Sequence, residues 1–209
     1  MKDLGEASFV LGIEIHRDRR NGVLALSEKA YLEKILKKYG MHMSKPTPAP
    51  IVKGDGFGKH QCPKNKYELE QIKTVPYASA VRSLQYAQVC TRPDLSFVTG
   101  ILGRYQSDPG IEYWKMVKKA LRYVKGTTGL MLTYRKLESL EIEGYSESDF
   151  AGDADDRKST SEYIFTLAKG SDIVEKFQAV TASSTMYAKF VACYEASGQV
   201  TWLKKLVSG

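Results

Sequence analysis

The chain has 209 residues, 43% apolar and 26% charged, the balance of an ordinary globular protein with room for one moderate core or two thin ones. No run approaches the ~20 apolar residues of a membrane span, and Met1-Lys2-Asp3-Leu4-Gly5-Glu6 leads into a strand-like run instead of a secretory signal. The formal charge of +7 is only a weak pointer to acidic partners.

The first forty residues read strand, turn, strand, helix. A β-branched run over Ser8–Ile15 is followed by Asn21-Gly22, a hairpin signal, and by Val23–Leu26. Ser27 is placed to cap a helix whose stripe is Tyr31, Leu32, Ile35, Leu36 and Tyr39, with Gly40 as its stop. Three prolines in Lys45-Pro46-Thr47-Pro48-Ala49-Pro50, with glycines at 54, 56 and 58, make a linker or draped loop. Helices are expected near 77–90 and 95–106, broken by Arg92-Pro93-Asp94. A third follows Asp108-Pro109, with Met116, Val117, Ala120, Leu121 and Val124 inward and Gly126 as its stop.

The outer face of that third helix carries Lys115, Lys118, Lys119, Arg122 and Lys125, with Trp114 and Tyr123 nearby. On composition this is the best nucleic-acid contact in the chain, weighed against a merely solvated face. The last third reads as strands over 130–134, 140–145 and 163–168, then a helix over about 186–206. The fold class is therefore α+β. The expected divisions are 1–43 (hairpin plus helix), 44–66 (linker), 67–129 (helices) and 130–209 (strands and a helix).

Other candidate residues have no partners in sequence. Cys62, Cys90 and Cys193 are odd in number and far apart, which predicts unpaired thiols buried as small hydrophobes. His16, His42 and His60 share no metal-ligand spacing. Asp153, Asp155 and Asp156 form a short acidic turn without the glycine and distal glutamate of a calcium loop. No cofactor and no metal is expected.

Several strings resemble the Pol polyprotein of Ty1/copia retrotransposons, in family order and spacing: Asp3-Leu4-Gly5-Glu6, Leu11-Gly12-Ile13-Glu14-Ile15, Thr91-Arg92-Pro93-Asp94, Leu121–Thr127, Phe150-Ala151-Gly152-Asp153 and Arg157-Lys158-Ser159-Thr160-Ser161. The resemblance covers nearly the whole chain. It implies a strand hairpin and helices from the end of a reverse transcriptase, followed by a truncated RNase H-like α/β unit.

The departures bear on activity. The family's paired-aspartate polymerase motif lies upstream of this stretch, and a later catalytic aspartate would follow Gly209. Where the family reads Gly-Tyr-Ser-Asp-Ala-Asp, this chain has Glu147 at the first aspartate and keeps Asp149 at the second. Where the family helix reads Glu-Ala-Glu-Tyr, it has Tyr187-Ala188-Lys189-Phe190. A two-metal nuclease needs several converging carboxylates, so Glu147, Asp149, Tyr187 and Lys189 are expected to form a vestigial site and the chain not to be an enzyme.

One departure points elsewhere. The family's Gly-Ser-Leu-Met is here Arg82-Ser83-Leu84-Gln85, one residue short of the Arg-x-Leu-Arg translocation motif of oomycete effectors. The truncated copia-like chain is similar to the secreted RxLR effectors of downy mildews. That similarity implies secretion, entry into the host cell (nucleus or cytoplasm), an unidentified host plant protein as partner, and suppression of host cell death. The alternative is an inactive retrotransposon remnant with weak, non-specific nucleic-acid binding.

Overall fold

The computed structural model describes residues 5–52, 55–136, 142–153, 155–167 and 170–208, with the backbone alone over 170–177 and at 208. Asp3 and Leu4 of the opening motif, Gly54, Leu140, Glu141 and Ala168 lie outside the described residues. The chain divides into two units, Met1–Asp55 with Gln61–Lys136, and Gly56–His60 with Leu137–Gly209. Each is mixed helix and antiparallel sheet.

The first unit holds a sheet of four strands, β1 (Phe9–Val10), β2 (Ile13–Asp18), β3 (Val23–Ser27) and β4 (Leu132–Arg135), in that spatial order. The apolar run over 8–15 predicts one strand; it is two. Leu11 and Gly12 take φ values of 51° and 88°, the left-handed region that folds the chain straight back, so Val10 pairs with Ile13. The Tyr86 hydroxyl donates to the Leu11 carbonyl at 2.9 Å and holds the turn. The strand near 130–134, read with the last third, instead pairs with β3, Leu24 opposite Tyr134. Its apolar residues were legible, but its long-range partner was not.

Among the described residues, five α-helices lie between β3 and β4 in the chain. In α1 (Lys29–Lys38) Leu32, Ile35 and Leu36 are buried; Glu28 holds the N-cap position without a side-chain cap bond, and the Ser27 hydroxyl accepts from the Lys29 amide at 3.3 Å. Gly40, at φ 68°, ends it as expected. A short α2 (Lys66–Lys73) was not foreseen beside the proline- and glycine-rich segment. Its signal is Asn65, whose side chain accepts from the Glu68 amide at 2.9 Å while Glu68 accepts from the Lys64 amide at 2.7 Å. Then come α3 (Tyr77–Cys90), α4 (Ser96–Arg104) and α5 (Ile111–Gly126). Val81, Leu84, Val98, Leu102, Val117 and Leu121 are essentially without solvent contact and form the core.

The joint between α3 and α4 is an ion pair between a buried guanidinium and a partly exposed carboxylate. The Arg92 guanidinium, its side chain 2% exposed, donates to both carboxylate oxygens of Asp94 at 2.9 and 2.7 Å. It also donates to the carbonyl and the hydroxyl oxygen of Thr127 at 3.3 and 2.7 Å, just past the end of α5. The Tyr123 hydroxyl donates to Asp94 at 2.7 Å. Burial pushes the Asp94 pKa up, but the Arg92 charge and hydrogen bonds outweigh it and hold the carboxyl below its ordinary value.

The second unit holds β5 (Ile142–Asp149), β6 (Thr160–Leu167) and β7 (Gly170–Phe177) as an antiparallel meander with β6 central, and one long helix, α6 (Thr185–Ser208). Tyr163, Phe165 and Ala196 make its core, with Ile142, Val200 and Leu203 packed against them. A Cβ on Gly144 would lie 2.7 Å from the Phe165 ring, so the glycine makes room for the aromatic across the hairpin. Gln178 is buried and donates to the Ala188 carbonyl at 2.7 Å and to the Ser161 hydroxyl at 3.1 Å, joining the end of the sheet to α6.

Truncating Arg92 leaves Asp94 without its countercharge and Thr127 without its donor. Arg92→Ala is expected to destabilise the first unit by about 2 kcal/mol, the scale of a lost hydrogen bond to a charged group, read as a lower denaturant midpoint in fluorescence-monitored unfolding. An unchanged midpoint would show that the ion pair is not structural.

Candidate functional site

Strand alternation sorts β5 into two faces. Ile142, Gly144, Ser146 and Ser148 share the face that meets the α6 core, whereas Tyr145, Glu147 and Asp149 point the other way. The register then adds a residue the sequence reading did not single out. Glu162 of β6 stands directly opposite Glu147, and Thr160 opposite Asp149. Directly opposed residues have Cβ atoms ~4.5–5.5 Å apart, so three carboxylates gather on one face of the hairpin. The available signal was β-pairing between the strand ending at Asp149 and the strand opening at Thr160; its register was not readable without the intervening turn.

Glu162 is half-buried, and burial pushes its pKa up, with the negative charges of Glu147 and Asp149 adding to the shift. Glu147 and Glu162 line a cleft of about 500 Å³ together with Tyr145, Ser148, Lys189 and Cys193. Lys189 comes from the first turns of α6, as does Tyr187, which is exposed beside it in sequence. The structure thus brings Glu147 and Lys189 to one cleft, and places Asp149 on the same strand face as Glu147.

The donor set does not fit a pair of divalent cations. Helix α6 offers a phenol and an ammonium where metal ligation needs carboxylates, and the ammonium lines the cleft. Among the described residues no group of three His, Cys, Asp or Glu side chains is placed to hold a metal ion.

The basic residues of α5 are largely occupied by the protein itself. Lys119 pairs with Asp55 at 2.5 Å, Lys115 with Glu112 at 2.6 Å, and Arg122 donates to the Lys45 carbonyl at 2.7 Å. The proline-rich segment therefore lies along α5, held by two of the cations read as phosphate contacts. Lys118 sits 6.0 Å from the centre of the Trp114 ring, and Lys125 is half-buried in the last turn.

Arg82-Ser83-Leu84-Gln85 falls in the middle of α3. Leu84 is fully buried, Ser83 donates to the Ser79 carbonyl at 2.9 Å, and the Tyr31 hydroxyl donates to the Ser83 carbonyl at 3.1 Å; Arg82 is exposed. The cysteines form no disulfide and are not buried as small hydrophobes: Cys193 is exposed, and Cys62 and Cys90 are half-buried. The acidic turn is tied down in its own unit, with the Lys59 amide donating to Asp155 at 2.8 Å and the Lys59 ammonium to Asp156 at 3.0 Å.

No family model matches the chain, and no solved structure matches it. Curated relatives do. The chain is 39% identical over 208 residues to the retrovirus-related Pol polyprotein from transposon TNT 1-94 of Nicotiana tabacum, covering 99% of this chain and 16% of that polyprotein. It is 31% identical over 207 residues to an uncharacterised mitochondrial protein of Arabidopsis thaliana, covering 97% of this chain and 80% of that protein. It is 38% identical over 133 residues to secreted RxLR effector protein 161 of Plasmopara viticola, covering 63% of this chain and 94% of that protein.

The opposed carboxylates give a pH signature. Because the folded pKa of Glu162 is raised, its stabilising contribution is complete below the ordinary glutamate value of 4.5 and is lost as pH rises through the folded value. Glu147→Gln removes one source of the shift and leaves burial. We expect the Glu162 pKa to fall but stay elevated in a carboxyl NMR titration. At pH 7 the second unit should gain about 0.5 kcal/mol. A Glu162 titration unmoved by the substitution would show that the two side chains do not face each other.

Proposed function

The chain belongs to the copia-type retrotransposon Pol polyprotein family, and from that premise we propose that it is a non-catalytic descendant of the stretch running from the end of reverse transcriptase into the RNase H-like region. In this reading the first unit derives from the reverse-transcriptase end. The second is the opening meander and first helix of an RNase H-like sheet. The observation that carries it is the side-chain chemistry at the positions the family uses for metal ligands: α6 has Tyr187 and Lys189 there, and Glu147, which lines one cleft with Lys189, stands where the family has the shorter aspartate. A shift of ~1 Å in a reacting group already costs on the order of 10²-fold in rate. Tyr187 and Lys189, in place of the family's two glutamates, remove two ligands outright.

A chain with that cleft works by binding, and we assign it a protein partner. The self-satisfied cations of α5 support this over nucleic acid, because Lys115, Lys119 and Arg122 meet partners within the chain. The relative from Plasmopara viticola supports the finer form: a secreted effector acting inside host plant cells to suppress cell death. The second reading, a remnant with weak nucleic-acid affinity, draws on Lys118 and Lys125. It calls for sequence-independent, micromolar binding that weakens steeply with salt.

Purified protein is expected to leave an RNA–DNA hybrid uncut in Mg²⁺ or Mn²⁺. Cleavage above background that disappears in Glu147→Ala or Asp149→Ala would restore catalysis.

In leaves, transient expression of the tagged chain should reduce elicitor-triggered cell death. The double substitution Glu147→Ala, Asp149→Ala should leave that suppression intact, since no chemistry is involved. If the double variant is abundant and folded yet inactive, the binding reading fails. If the parent chain has no effect on cell death, the effector form fails and the remnant reading takes its place.

A further inference from the structure

Helix α6 is apolar on both sides. Ala188, Ala192 and Ala196 let it lie close against the sheet. A helix with one buried face normally turns polar residues outward. Here a row at four-residue spacing reads Phe190, Tyr194, Gly198, Trp202, Leu206, and its four side chains are 68, 74, 55 and 63% exposed. Residues four apart form a continuous ridge inclined to the helix axis, and no charged residue interrupts this one. A Cβ on Gly198 would meet nothing within 4 Å, so the ridge has a notch at its midpoint that opens outward.

The two large side chains nearest the notch on each side, Phe190 and Tyr194 before it and Trp202 and Leu206 after it, are placed symmetrically about it, and Met186 extends the row by one turn. A two-fold axis through Gly198 sets Tyr194 against the partner's Trp202 and Phe190 against the partner's Leu206. Such self-complementarity is what an isologous contact requires. We propose that the chain forms a two-fold homodimer through α6, the two helices crossing at Gly198. Two helices whose four-residue ridges interdigitate cross near −50°, and the glycine notch permits close approach at the crossing point.

The area is sufficient. Aromatic side chains bury ~150–250 Å² each, so the row and the neighbouring Met186 and Tyr187 offer roughly 600 Å² per copy. The total of about 1,200 Å² reaches the lower end of stable interfaces. The contact is apolar while each copy carries a formal charge of +7, so added salt should tighten it by screening the repulsion, the reverse of an interface held by ion pairs. The proposal goes beyond the functional reading above and stands whether or not the chain acts in a plant cell.

The test is sedimentation equilibrium on the full chain between about 1 and 100 µM. A monomer–dimer equilibrium that strengthens from low to high salt is expected. Tyr194→Glu with Trp202→Glu should raise the dissociation constant at least about tenfold with an unchanged circular dichroism spectrum. In a Cys193→Ser background, Gly198→Cys should give a disulfide-linked dimer under mild oxidation, because a residue on the two-fold axis faces its own copy. Met186→Cys should not, since at 1.5 Å per residue it lies roughly 36 Å from its own copy. A monomer at every concentration overturns the proposal. So does a dimer that Tyr194→Glu with Trp202→Glu leaves intact and Gly198→Cys fails to trap.

Discussion

Everything in the first unit is arranged around the burial of one guanidinium. Arg92 can give up water only if its donors are met, since an unpaired charge in such a place costs several kcal/mol. Asp94 takes two of them in a planar fork, and Thr127 takes two more through its carbonyl and hydroxyl oxygens. The Tyr123 ring lies 5.5 Å from the guanidinium carbon, and its hydroxyl completes the shell around Asp94. These bonds fix the reversal at Pro93, where α3 hands over to α4, and they fix the end of α5. Because β4 begins a few residues after α5, the same residues determine where the chain returns to β3. A local dipeptide signal thereby sets a pairing between strands more than a hundred residues apart in the chain.

Glu28 is the counterpoint. It begins α1 nearly out of contact with solvent, with the Thr91 hydroxyl donating to one oxygen at 2.8 Å. Burial raises its pKa despite Thr91, Cys90 and the nearby Arg92 charge. The two acids sit on neighbouring elements and respond to opposite forces: Asp94 is held ionised by its bidentate partner, while Glu28 is drawn toward its neutral form by its surroundings. The arginine's positive charge is spent mainly where its geometry is best, and the more distant carboxyl receives only the remaining field.

What the sequence made legible was local. The stripe of α1, the stop at Gly40, the limits of α3 and the inward residues of α5 follow from periodicity and punctuation. The break at Leu11-Gly12 did not, because a leucine at positive φ contradicts its own preference and is held by the distant Tyr86. The draped proline-rich segment did not either, since it rests on Arg122 and Lys119, residues that in sequence read as a free basic face. Resemblance named Glu147, Asp149, Tyr187 and Lys189, of which Glu147 and Lys189 line the cleft. Glu162 was missed because nothing but the register distinguishes it from the solvent-facing residues of an ordinary strand.

Glu162 also bears on history. A lost site is commonly imagined as recoverable by reversing its losses, here Glu147→Asp, Tyr187→Glu and Lys189→Glu. In this sheet those reversals would exchange one carboxylate at position 147 and add two on α6, next to a hairpin face that already holds Glu162 and Asp149, and would remove the positive charge of Lys189. Each restored acid would raise the electrostatic cost of the next before any cation could offset it. A residue outside the familiar motif therefore sets part of the charge that any added acid on this face would meet.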